Sequence, residues 1–599
     1  MRLHSKAVAI LIMFLFLIAL VVPMINGNIT LNEPTPPVTS IRQIDKDSTI
    51  HQMDLIYSDN HDISYDPLFG FLSGCITDIF NNPLRGVRVR VSFHSTYKED
   101  YTDTFGYYNV SPIPKCYCYK DVIVVKEGYN TISKSMPIGD TIMNFTLTPE
   151  NILYVDDDGT ADYTSIQDAI DNASYGDTVF VYNGTYHENV YIHKPLVLQG
   201  EDKDTTFIDG GGSGNVVEVD VNWVTISSFT IQNGYKSIWI SDSSNNNTII
   251  GNIVTSKGYS IWISSSSNNN AVIGNTITDN HWDGIMIEDG SSRNTIIENT
   301  IDANRFGIHL SESSGNNISN NIFKSNGIMI AGDRYIESWN SHIIKNNIAN
   351  GRPIRYYKNM DNVTFPCDTA QVILANCSNF CIKNLNLSDV DIGIQLGFSS
   401  NNTITENVIN NNYGGIRLYC SLDNTITENI ITDNFCSGIW QSGSSRNTII
   451  ENTIDNNYYG IRLYFSYNIT IRRNTIQNNE YGIEIINPSD GTKIYQNNFI
   501  DNNNSALNKK NTEWDNGRIG NYWDDYKEKY PDAHRRLFRP WIWNKPYDIP
   551  GDDNSDNFPL SIPYSEDNLI FILTDFFHRL FNFDWQPAKE PYDIPFLEV

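Results

Sequence analysis

The chain of 599 residues carries a formal net charge of −28 and contains 8 cysteines. This excess of carboxylates excludes nucleic acid as a partner, because phosphate binding requires Lys and Arg side chains that release counterions. The cysteines are too sparse for a small disulfide scaffold. The composition therefore favours a large soluble protein, and its acidic surface is compatible with bound divalent cations such as calcium.

Residues 1–27 have the pattern of a secretory signal peptide. Arg2 and Lys6 precede an uninterrupted apolar run from Ala7 to Val22. The run is shorter than a usual membrane span, so an uncleaved anchor is the less favoured alternative, and no later stretch is long and apolar enough to cross a bilayer. We predict a secreted or cell-surface protein with no membrane span after cleavage. A polar, aperiodic linker follows at residues 28–67.

Residues 68–149 contain short β-rich runs separated by turn signals, which predict a small antiparallel β-sandwich. The runs are Val87 to Phe93, Tyr107 to Val110 and Val122 to Val125. Four phrases of the segment are GCITD from Gly74, PLRGVRVRV from Pro83, TDTFGYYNV from Thr102 and EGY from Glu127. With these phrases the segment resembles the carboxypeptidase-regulatory-like family. That resemblance implies a non-catalytic β-sandwich appended to an exported protein.

Residues 152–505 are organised around a repeat. The phrase GSSRNTIIENTID occurs at Gly290–Asp302 and again at Gly443–Asp455, and weaker copies recur. Their spacing of roughly 22 to 24 residues indicates a solenoid. Apolar and polar residues alternate within each copy, so we expect short strands that must stack in parallel to bury their apolar face. The sequence predicts an all-β protein with a right-handed parallel β-helix of about 14 coils.

A short helix is predicted at the start of this segment. Thr164 to Gln167 has the form of a capping box, and the following apolar residues Ile166, Ala169, Ile170 and Ala173 lie on one helical face. We expect the helix to cover the N-terminal end of the β-helix, where strand edges would otherwise be exposed.

Stacked copies place equivalent residues above one another. Asparagines form two columns at the turns, where each amide can bond the amides above and below. The first column is Asn252, Asn275, Asn299, Asn321, Asn407, Asn429, Asn452, Asn474 and Asn497, and the second is Asn280, Asn304, Asn326, Asn412, Asn434, Asn457 and Asn479. Glycines mark the next corner, where a positive φ or a close backbone approach is expected. They are Gly284, Gly307, Gly415, Gly438, Gly460 and Gly482.

Two stretches depart from the repeat. Between Ile330 and Leu396 it decays, but the length admits about three or four coils, so we predict irregular coils without a break. Residues 506–599 carry GNYWDDY from Gly520, PYDIPGDDNSDNFPL from Pro546 and a further aromatic stretch. We expect this tail to cover the C-terminal end of the solenoid.

A second resemblance extends over the repeat region. The residues that carry it are YTSIQDAI and GDTVFVYNGTY at the start, the NTI-x-x-N repeats, GRPIRYY and QVILANCSN in the irregular coils, and the GNYWDDY and PYDIPGDDNSDNFPL ending. With these, residues 154–560 resemble the NosD-type family of exported right-handed β-helix proteins with a pectin-lyase-like fold. The resemblance implies the fold and export. Copper-protein maturation is attached to some members, and carbohydrate binding or surface roles to others.

The outward residue of each G-I-x-L strand is predicted to form a ladder on one sheet. Its members are Trp239, Trp262, Met286, His309, Met329, Gln395, Arg417, Trp440, Arg462 and Glu484. Exposed tryptophans can stack on sugar rings, so a glycan face is one interpretation. Its candidate residues are Trp239, Trp262, Trp282, His309, Arg417, Trp440 and Arg462, extended by Phe306, Tyr413, Tyr459 and Tyr481. Ordinary packing beneath loops or caps is the alternative.

Two metal sites are weaker hypotheses. Met286, His309 and Met329 offer thioethers and an imidazole to Cu(I), although consecutive rungs span more than an ideal site and no second Met/His cluster supports it. Glu406, Glu428 and Glu451 form an acidic column at a turn that could bind calcium. Solvated turn residues are the favoured explanation of that column, because stacked like charges tolerate one another in water.

Disulfides and glycosylation are compatible with an exported chain. Cys75 with Cys116 or Cys118, and a bridge among Cys367, Cys377 and Cys381, are the candidate pairs. Asn-x-Ser/Thr sequons recur, which is compatible with a glycoprotein, but an Asn- and Thr-rich repeat produces them by composition alone.

Catalytic motifs are absent from the sequence. Enzymes of this fold that act on acidic polysaccharides need clustered aspartates beside a basic residue, and no polygalacturonase-like or epimerase-like set occurs. Ser-His-Asp, zinc-spacing and phosphate-loop motifs are also missing. We therefore predict a non-catalytic carbohydrate-binding or structural and adhesive component whose partner is a glycan or cell-surface polymer. The alternatives are a lyase or hydrolase acting on an acidic glycan, because such sites assemble in three dimensions, and a NosD-like copper-handling accessory.

Overall fold

The computed structural model describes residues 69–565, apart from 79–82, 95, 116–118, 149–150, 332–334, 364, 488, 509–511, 538 and 552–553. The predicted signal peptide and linker, the cysteines at 116 and 118 and the end of the tail lie outside the described residues. The described part is nearly all β, and its helices are Ile166–Asn172, Glu337–Asn340 and Tyr526–Lys529. None of them is long and apolar enough to cross a bilayer.

The described residues between 69 and 147 form two sheets that share one core. One sheet contains Phe69–Asp78, Tyr107–Pro114, Asp140–Ile142 and Phe145–Leu147, and the other contains Arg88–Phe93, Thr96–Tyr101, Tyr119–Lys126 and Tyr129–Pro137. Leu72 and Tyr108 from the first sheet pack with Val89 and Val122 from the second. The predicted β-sandwich is present, and buried apolar residues alternate with more exposed ones along Arg88–Phe93 and Tyr119–Lys126.

The following solenoid has about 16 turns, against the 14 that the repeat count predicts. Its first part, the first solenoid, is built from three parallel sheets. Sheet I is Ile152–Val155, Thr178–Val181, Val197–Gly200, Thr225–Ser227, Thr248–Ile250, Ala271–Ile273, Thr295–Ile297, Asn317–Ser319 and Ile343–Lys345. Sheet II is Gly184–Tyr186, Thr206–Asp209, Thr230–Gln232, Ile253–Val254, Thr276–Thr278, Thr300–Asp302, Ile322–Lys324 and Ile348–Ala349. Sheet III is Val190–Ile192, Asn215–Val219, Lys236–Ile240, Tyr259–Ile263, Asp283–Ile287, Phe306–Ser311 and Ile328–Ala331.

The second part, the second solenoid, is also built from three sheets, the first of which continues sheet II through one antiparallel pairing. Sheet IV is Arg352–Lys358, Gln371–Ala375, Ile392–Gly397, Gly414–Tyr419, Ser437–Ser442, Tyr459–Tyr464, Tyr481–Ile485 and Asn504–Asn508. Sheet V is Cys381–Lys383, Thr403–Thr405, Thr425–Thr427, Thr448–Ile450, Thr470–Arg472 and Lys493–Tyr495. Sheet VI is Asn386–Ser388, Val408–Asn410, Ile430–Thr432, Thr453–Asp455, Thr475–Gln477, Asn498–Ile500 and Tyr522–Trp523. Short strands follow at Arg535–Arg536, Arg539–Trp543, Tyr547–Ile549 and Asn554–Asp556.

The asparagine columns are confirmed and explain how the buried turns satisfy their backbone. Asn275 Oδ1 accepts from the backbone N–H of Asn252 at 2.9 Å, and Asn275 Nδ2 donates to Ile249 O, also at 2.9 Å. The same pattern repeats along both solenoids, with the asparagines almost fully buried. At the glycine corner the chains approach closely: a Cβ at Gly415 would lie 2.5 Å from Gly438 O. Close approach, without a positive φ, therefore explains these glycines.

Both ends of the solenoid are covered. The predicted helix Ile166–Asn172 lies at the start, and the Glu188 carboxylate accepts from two of its first N–H groups, at 2.9 and 3.0 Å. At the other end Trp523 is stacked between Phe499 and Tyr547, with ring centroids 4.3 and 4.1 Å away. The asparagine column ends there on the Asp556 carboxylate, and burial raises the pKa of that carboxyl group to about 7.

The prediction of irregular coils without a break between Ile330 and Leu396 holds for one sheet, which runs through this region, and fails for the others. Sheets I and III end at residues 345 and 331, and sheets V and VI begin at residues 381 and 386. Sheet II alone continues into the second solenoid, through an antiparallel pairing of Ile348–Ala349 with Arg352–Lys358 of sheet IV. Two separate hydrophobic cores result. Strand Gln371–Ala375 lies between them, with Ile373 in the first core and Val372 and Leu374 in the second.

At the junction, the last strand of sheet III lies against side chains of sheet IV. Gln371 accepts from the N–H of Ile328 at 3.0 Å and donates to its carbonyl at 2.9 Å. Gln395 accepts from the N–H of Ile330 at 3.1 Å, and Arg417 donates to the Ile330 carbonyl at the same distance. Side chains thus replace the next strand, so that a buried sheet edge is not left unpaired.

Candidate functional site

The predicted ladder of outward residues is split between two sheets. Trp239, Trp262, Met286, His309 and Met329 pair directly from strand to strand on sheet III. Gln395, Arg417, Trp440, Arg462 and Glu484 do so on sheet IV. The expectation of one continuous ladder is wrong, because sheet III ends at the junction and its last strand contacts the outer face of sheet IV.

The two tryptophans at the start of the sheet III ladder are covered by a cation. Lys236 Nζ lies 3.5 Å from the ring centroid of Trp239 and 3.8 Å from that of Trp262. Burial lowers the pKa of Lys236, and Glu218 and Glu288 oppose that effect. Trp239 is also tied by its Nε1, which donates to Ser264 Oγ at 3.0 Å. The ring faces of this pair are therefore already engaged within the protein.

A second row of aromatic residues, at the beginning of each strand, crosses the junction without interruption. We name Tyr235, Tyr259, Trp282, Arg305, Tyr413 and Phe435 the aromatic row. Ring centroids are 5.9 Å apart for Tyr235 and Tyr259, and 6.1 Å for Tyr259 and Trp282. Arg305 lies 4.4 Å from the Trp282 centroid and donates to Tyr413 Oη at 2.9 Å. Tyr413 and Phe435 follow at 5.7 Å.

Solvent reaches the row at intervals. Tyr235, Trp282 and Phe435 are 49%, 40% and 74% exposed, whereas Tyr259 and Tyr413 are only partly exposed between them. Beyond Phe435, Tyr458 and Tyr459 both contact Tyr481, at 5.8 and 5.3 Å. The sequence predicted Trp282, Tyr413, Tyr459 and Tyr481 of this surface but not Tyr235, Tyr259, Phe435 and Tyr458. The predicted Phe306 is buried and does not extend it.

A polar cluster lies beneath this row on sheet III. The Asp283 carboxylate contacts His309 Nδ1 at 3.1 Å, with the two side chains 4% and 15% exposed. His309 Nε2 is buried and has no hydrogen-bond partner among the described residues. Glu288 lies near, and burial raises the pKa of its carboxyl group. Asp283 was not predicted from the sequence as a site residue. The signal was an acidic residue at the strand position that Lys236 and Tyr259 occupy in the preceding coils.

Met286 and Met329 flank His309 on the adjacent strands, as predicted from the repeat. Both methionines are buried, with 7% and 8% exposure. The contact of Nδ1 with Asp283 leaves Nε2 as the free position of the imidazole ring. Two thioether side chains and one imidazole ring therefore occupy neighbouring, largely buried strand positions next to the junction.

The remaining predicted residues of sheet IV have structural partners. Arg417 is buried and bonded to Ile330, and its guanidinium lies 4.8 Å from the Trp440 ring. Arg462 donates to Glu484 at 2.8 Å and lies 4.3 Å from the Tyr459 ring. Both arginines of sheet IV therefore already interact with groups of the protein itself.

Asp391 is a further buried acid that sequence reasoning missed. Its carboxylate accepts from the N–H groups of Gly307 and Gly327, both at 3.1 Å. Burial raises its pKa to about 7. Asp391 therefore links the second solenoid to the first. The sequence does not show where the junction lies, so it could not predict this role.

The acidic column lies in strained turns. Glu406, Glu428 and Glu451 have φ values of 54°, 55° and 58°, and Arg473 forms an ion pair with Glu451 at 3.2 Å. Among the described residues no three His, Cys, Asp or Glu side chains come together closely enough to hold a metal ion. The cysteines Cys75, Cys367, Cys377 and Cys381 are free thiols.

Comparison with known structures recovers β-helical enzymes at low similarity. An alginate lyase from Paenibacillus sp. is 12% identical, with 50% of this chain and 94% of the other covered and a TM-score of 0.26. The A-module of a mannuronan C-5 epimerase from Azotobacter vinelandii is 15% identical, covering 58% and 92%, with a TM-score of 0.24. A pectin methylesterase from Yersinia enterocolitica is 14% identical, covering 32% and 92%, with a TM-score of 0.23. No curated protein matches the chain.

One protein family matches the solenoid itself. The model of the family described as periplasmic copper-binding protein (NosD) matches residues 170–366 and 361–528, which together make up more than half of the chain. The two matched segments meet at the junction and correspond closely to the first and second solenoids. This protein therefore belongs to the NosD family of parallel β-helix proteins.

Proposed function

We propose that this protein is exported and binds a glycan along the aromatic row, without a catalytic step. The observation that carries the proposal is the continuity of the row, in which ring and cation contacts connect Tyr235 to Phe435 across two sheets. Sugar rings present apolar C–H faces that stack on aromatic side chains. Because Tyr235 and Phe435 are exposed, and Trp282 stays 40% exposed although Arg305 lies over its ring, a chain of sugar units can contact the row at several positions.

The charges around the row favour a neutral glycan. The net charge of −28 repels polyanions. Arg305, Arg417 and Arg462 are engaged with Tyr413, the Ile330 carbonyl and Glu484 respectively, so a uronate would have to displace one of these contacts. The engagement of these three arginines weighs against a lyase or hydrolase acting on an acidic glycan.

Binding to immobilised neutral and acidic polysaccharides tests the proposal. Trp282→Ala and Phe435→Ala each remove an exposed ring and should weaken binding by about tenfold, since aromatic residues dominate such contacts. Tyr464→Ala is the matched control, because Tyr464 is 38% exposed on sheet IV but does not belong to the row. Equal binding by all three variants and the unaltered protein would refute the role of the row.

A specific observation also favours Cu(I) binding as a second function. The family description names copper, and Met286, His309 and Met329 are adjacent, buried donors with His309 Nε2 lacking a partner. Thioether and imidazole groups are the soft ligands that Cu(I) prefers. Asp283 holds the imidazole ring in the orientation that directs Nε2 away from the carboxylate. The residues present therefore fit this ion.

Anaerobic titration of Cu(I) against a coloured chelator tests the second function. Met286→Leu and Met329→Leu conserve volume and remove one thioether each, so each should lower Cu(I) affinity by about tenfold or more. Met360→Leu is the control, because Met360 is 44% exposed and distant in sequence from the three donors. If the chelator keeps all the copper in the presence of the unaltered protein, this function is excluded.

A further inference from the structure

A cavity of about 490 Å³ lies between the β-sandwich and sheet I of the first solenoid, whereas the aromatic row runs along sheet III and sheet IV. Strand Tyr129–Pro137 forms one wall. The other wall comes from sheet I and the turns before it, including Trp223, Thr225 and Thr248. Cavities of this volume are typical of small-ligand sites.

The lining combines aromatic rings with uncharged polar groups. Tyr175 and Trp223 are 75% and 39% exposed, and no lining residue carries a charge. The side chains of Thr131, Ser133 and Asn246 form no hydrogen bond within the described part of the chain. Asn130 Oδ1 is buried there and also has no partner. A buried acceptor without a partner is costly, so this atom favours a ligand that donates a hydrogen bond.

Trp223 occupies a backbone position that suits it poorly. Its φ is +69°, and the equivalent turns of the next coils have Asn246, Asn269, Arg293 and Gly315, with φ between 57° and 64°. Asn and Gly tolerate this region, whereas a bulky residue is disfavoured there. Trp223 is the aromatic member of this column of turns.

The Trp223 ring is also free of the contacts that the other outward tryptophans make. Trp239 and Trp262 are covered by Lys236, Trp282 by Arg305, and Trp440 by Arg417. No ring or cation contact involves Trp223 among the described residues. Its ring face is therefore available to a ligand in the cavity.

From these observations we infer that this cavity is a binding site for an uncharged saccharide, which stacks on Trp223 and bonds the hydroxyl and amide groups of the lining. Hydroxyl-rich ligands supply both donors and acceptors to Asn, Ser and Thr side chains. An anionic ligand is disfavoured because the lining offers no cation and the whole chain is acidic. The site is separate from the aromatic row and does not depend on it.

Calorimetric titration of the full chain with neutral hexasaccharides of glucose, mannose and galactose tests the inference, with a hexauronate as the charged comparison. Trp223→Gly removes the ring and at the same time places at this φ the residue type that Gly315 already provides. Loss of affinity in this variant cannot therefore arise from backbone strain. We expect saturable binding of a neutral hexasaccharide that weakens by about tenfold or more in Trp223→Gly. Asn130→Leu should also weaken it.

The variant Trp282→Ala distinguishes binding in the cavity from binding along the aromatic row. Neutral hexasaccharide binding that Trp223→Gly abolishes and Trp282→Ala leaves intact supports the cavity. Binding that Trp282→Ala abolishes and Trp223→Gly leaves intact overturns the cavity site while supporting the row. Absence of binding for every neutral hexasaccharide, or binding of the hexauronate alone, overturns the inference as well.

Discussion

Replacing Gln395 by leucine should loosen the junction between the two solenoids. The amide of Gln395 accepts from the N–H of Ile330 at 3.1 Å and donates to the carbonyl of Ile328 at 2.6 Å. Leucine has a similar volume but neither hydrogen-bonding group. The Ile328 carbonyl keeps its bond from Gln371 at 2.9 Å, whereas the Ile330 N–H loses its partner. An unpaired buried donor costs about 1 to 3 kcal/mol and the second lost bond about 1 kcal/mol, so we expect a loss of roughly 2 to 4 kcal/mol.

Amide hydrogen exchange measures this effect locally. Exchange at Ile330 should accelerate by about thirtyfold or more in Gln395→Leu, because a loss of about 2 kcal/mol is more than a factor of ten in the opening equilibrium. Gln477→Leu is the control, since Gln477 donates to Asp455 at 2.9 Å on the partly exposed outer face of sheet VI. If Ile330 exchanges at the same rate in Gln395→Leu as in the unaltered protein, side-chain completion of the sheet edge is refuted.

Three further predictions concern buried polar groups. Asn452→Ala should lower the free energy of unfolding by about 2 to 4 kcal/mol, because it leaves the N–H of Asn429 without its 3.0 Å partner. Urea denaturation measures this loss, and the control Thr427→Ala should have little effect. Burial lowers the pKa of His342 to about 4, below its unfolded value of about 6.5, so stability should fall by roughly 3 kcal/mol as pH drops through that window. His342→Asn should abolish this loss in thermal melts, because Asn294 and Asn316 already accept the same backbone bond in the preceding coils. Burial raises the pKa of Asp391 to about 7, above its unfolded value of about 3.9, so the free energy of unfolding falls as pH rises through this range. Asp391→Asn should therefore be more stable than the unaltered protein by roughly 4 kcal/mol near pH 8 and by little near pH 4. Equal stabilisation at both pH values would contradict the assignment.

Part of the site followed from the repeat alone. A strict period places Met286, His309 and Met329 on adjacent strands, and register in a parallel β-helix leaves no other arrangement. The same logic failed for Gln395 and Arg417. The repeat places them in the ladder of outward residues, but in the structure their side chains form hydrogen bonds with the backbone of Ile330 at the junction. A warning was present in the stretch QVILA at Gln371–Ala375, since it lacks alternation and is buried on both faces. Such a strand separates two cores.

The sequence by itself determined the β-helical fold, the asparagine columns and the order of side chains on each face, because a local repeat with period-two alternation can bury its apolar residues only by stacking in register. The tertiary structure alone decided where the column of coils is interrupted, how a sheet edge is completed by side chains, and which aromatic rings remain open to a ligand. Those features depend on contacts such as that between Arg305 and Tyr413, which lie 108 positions apart on opposite sides of the junction.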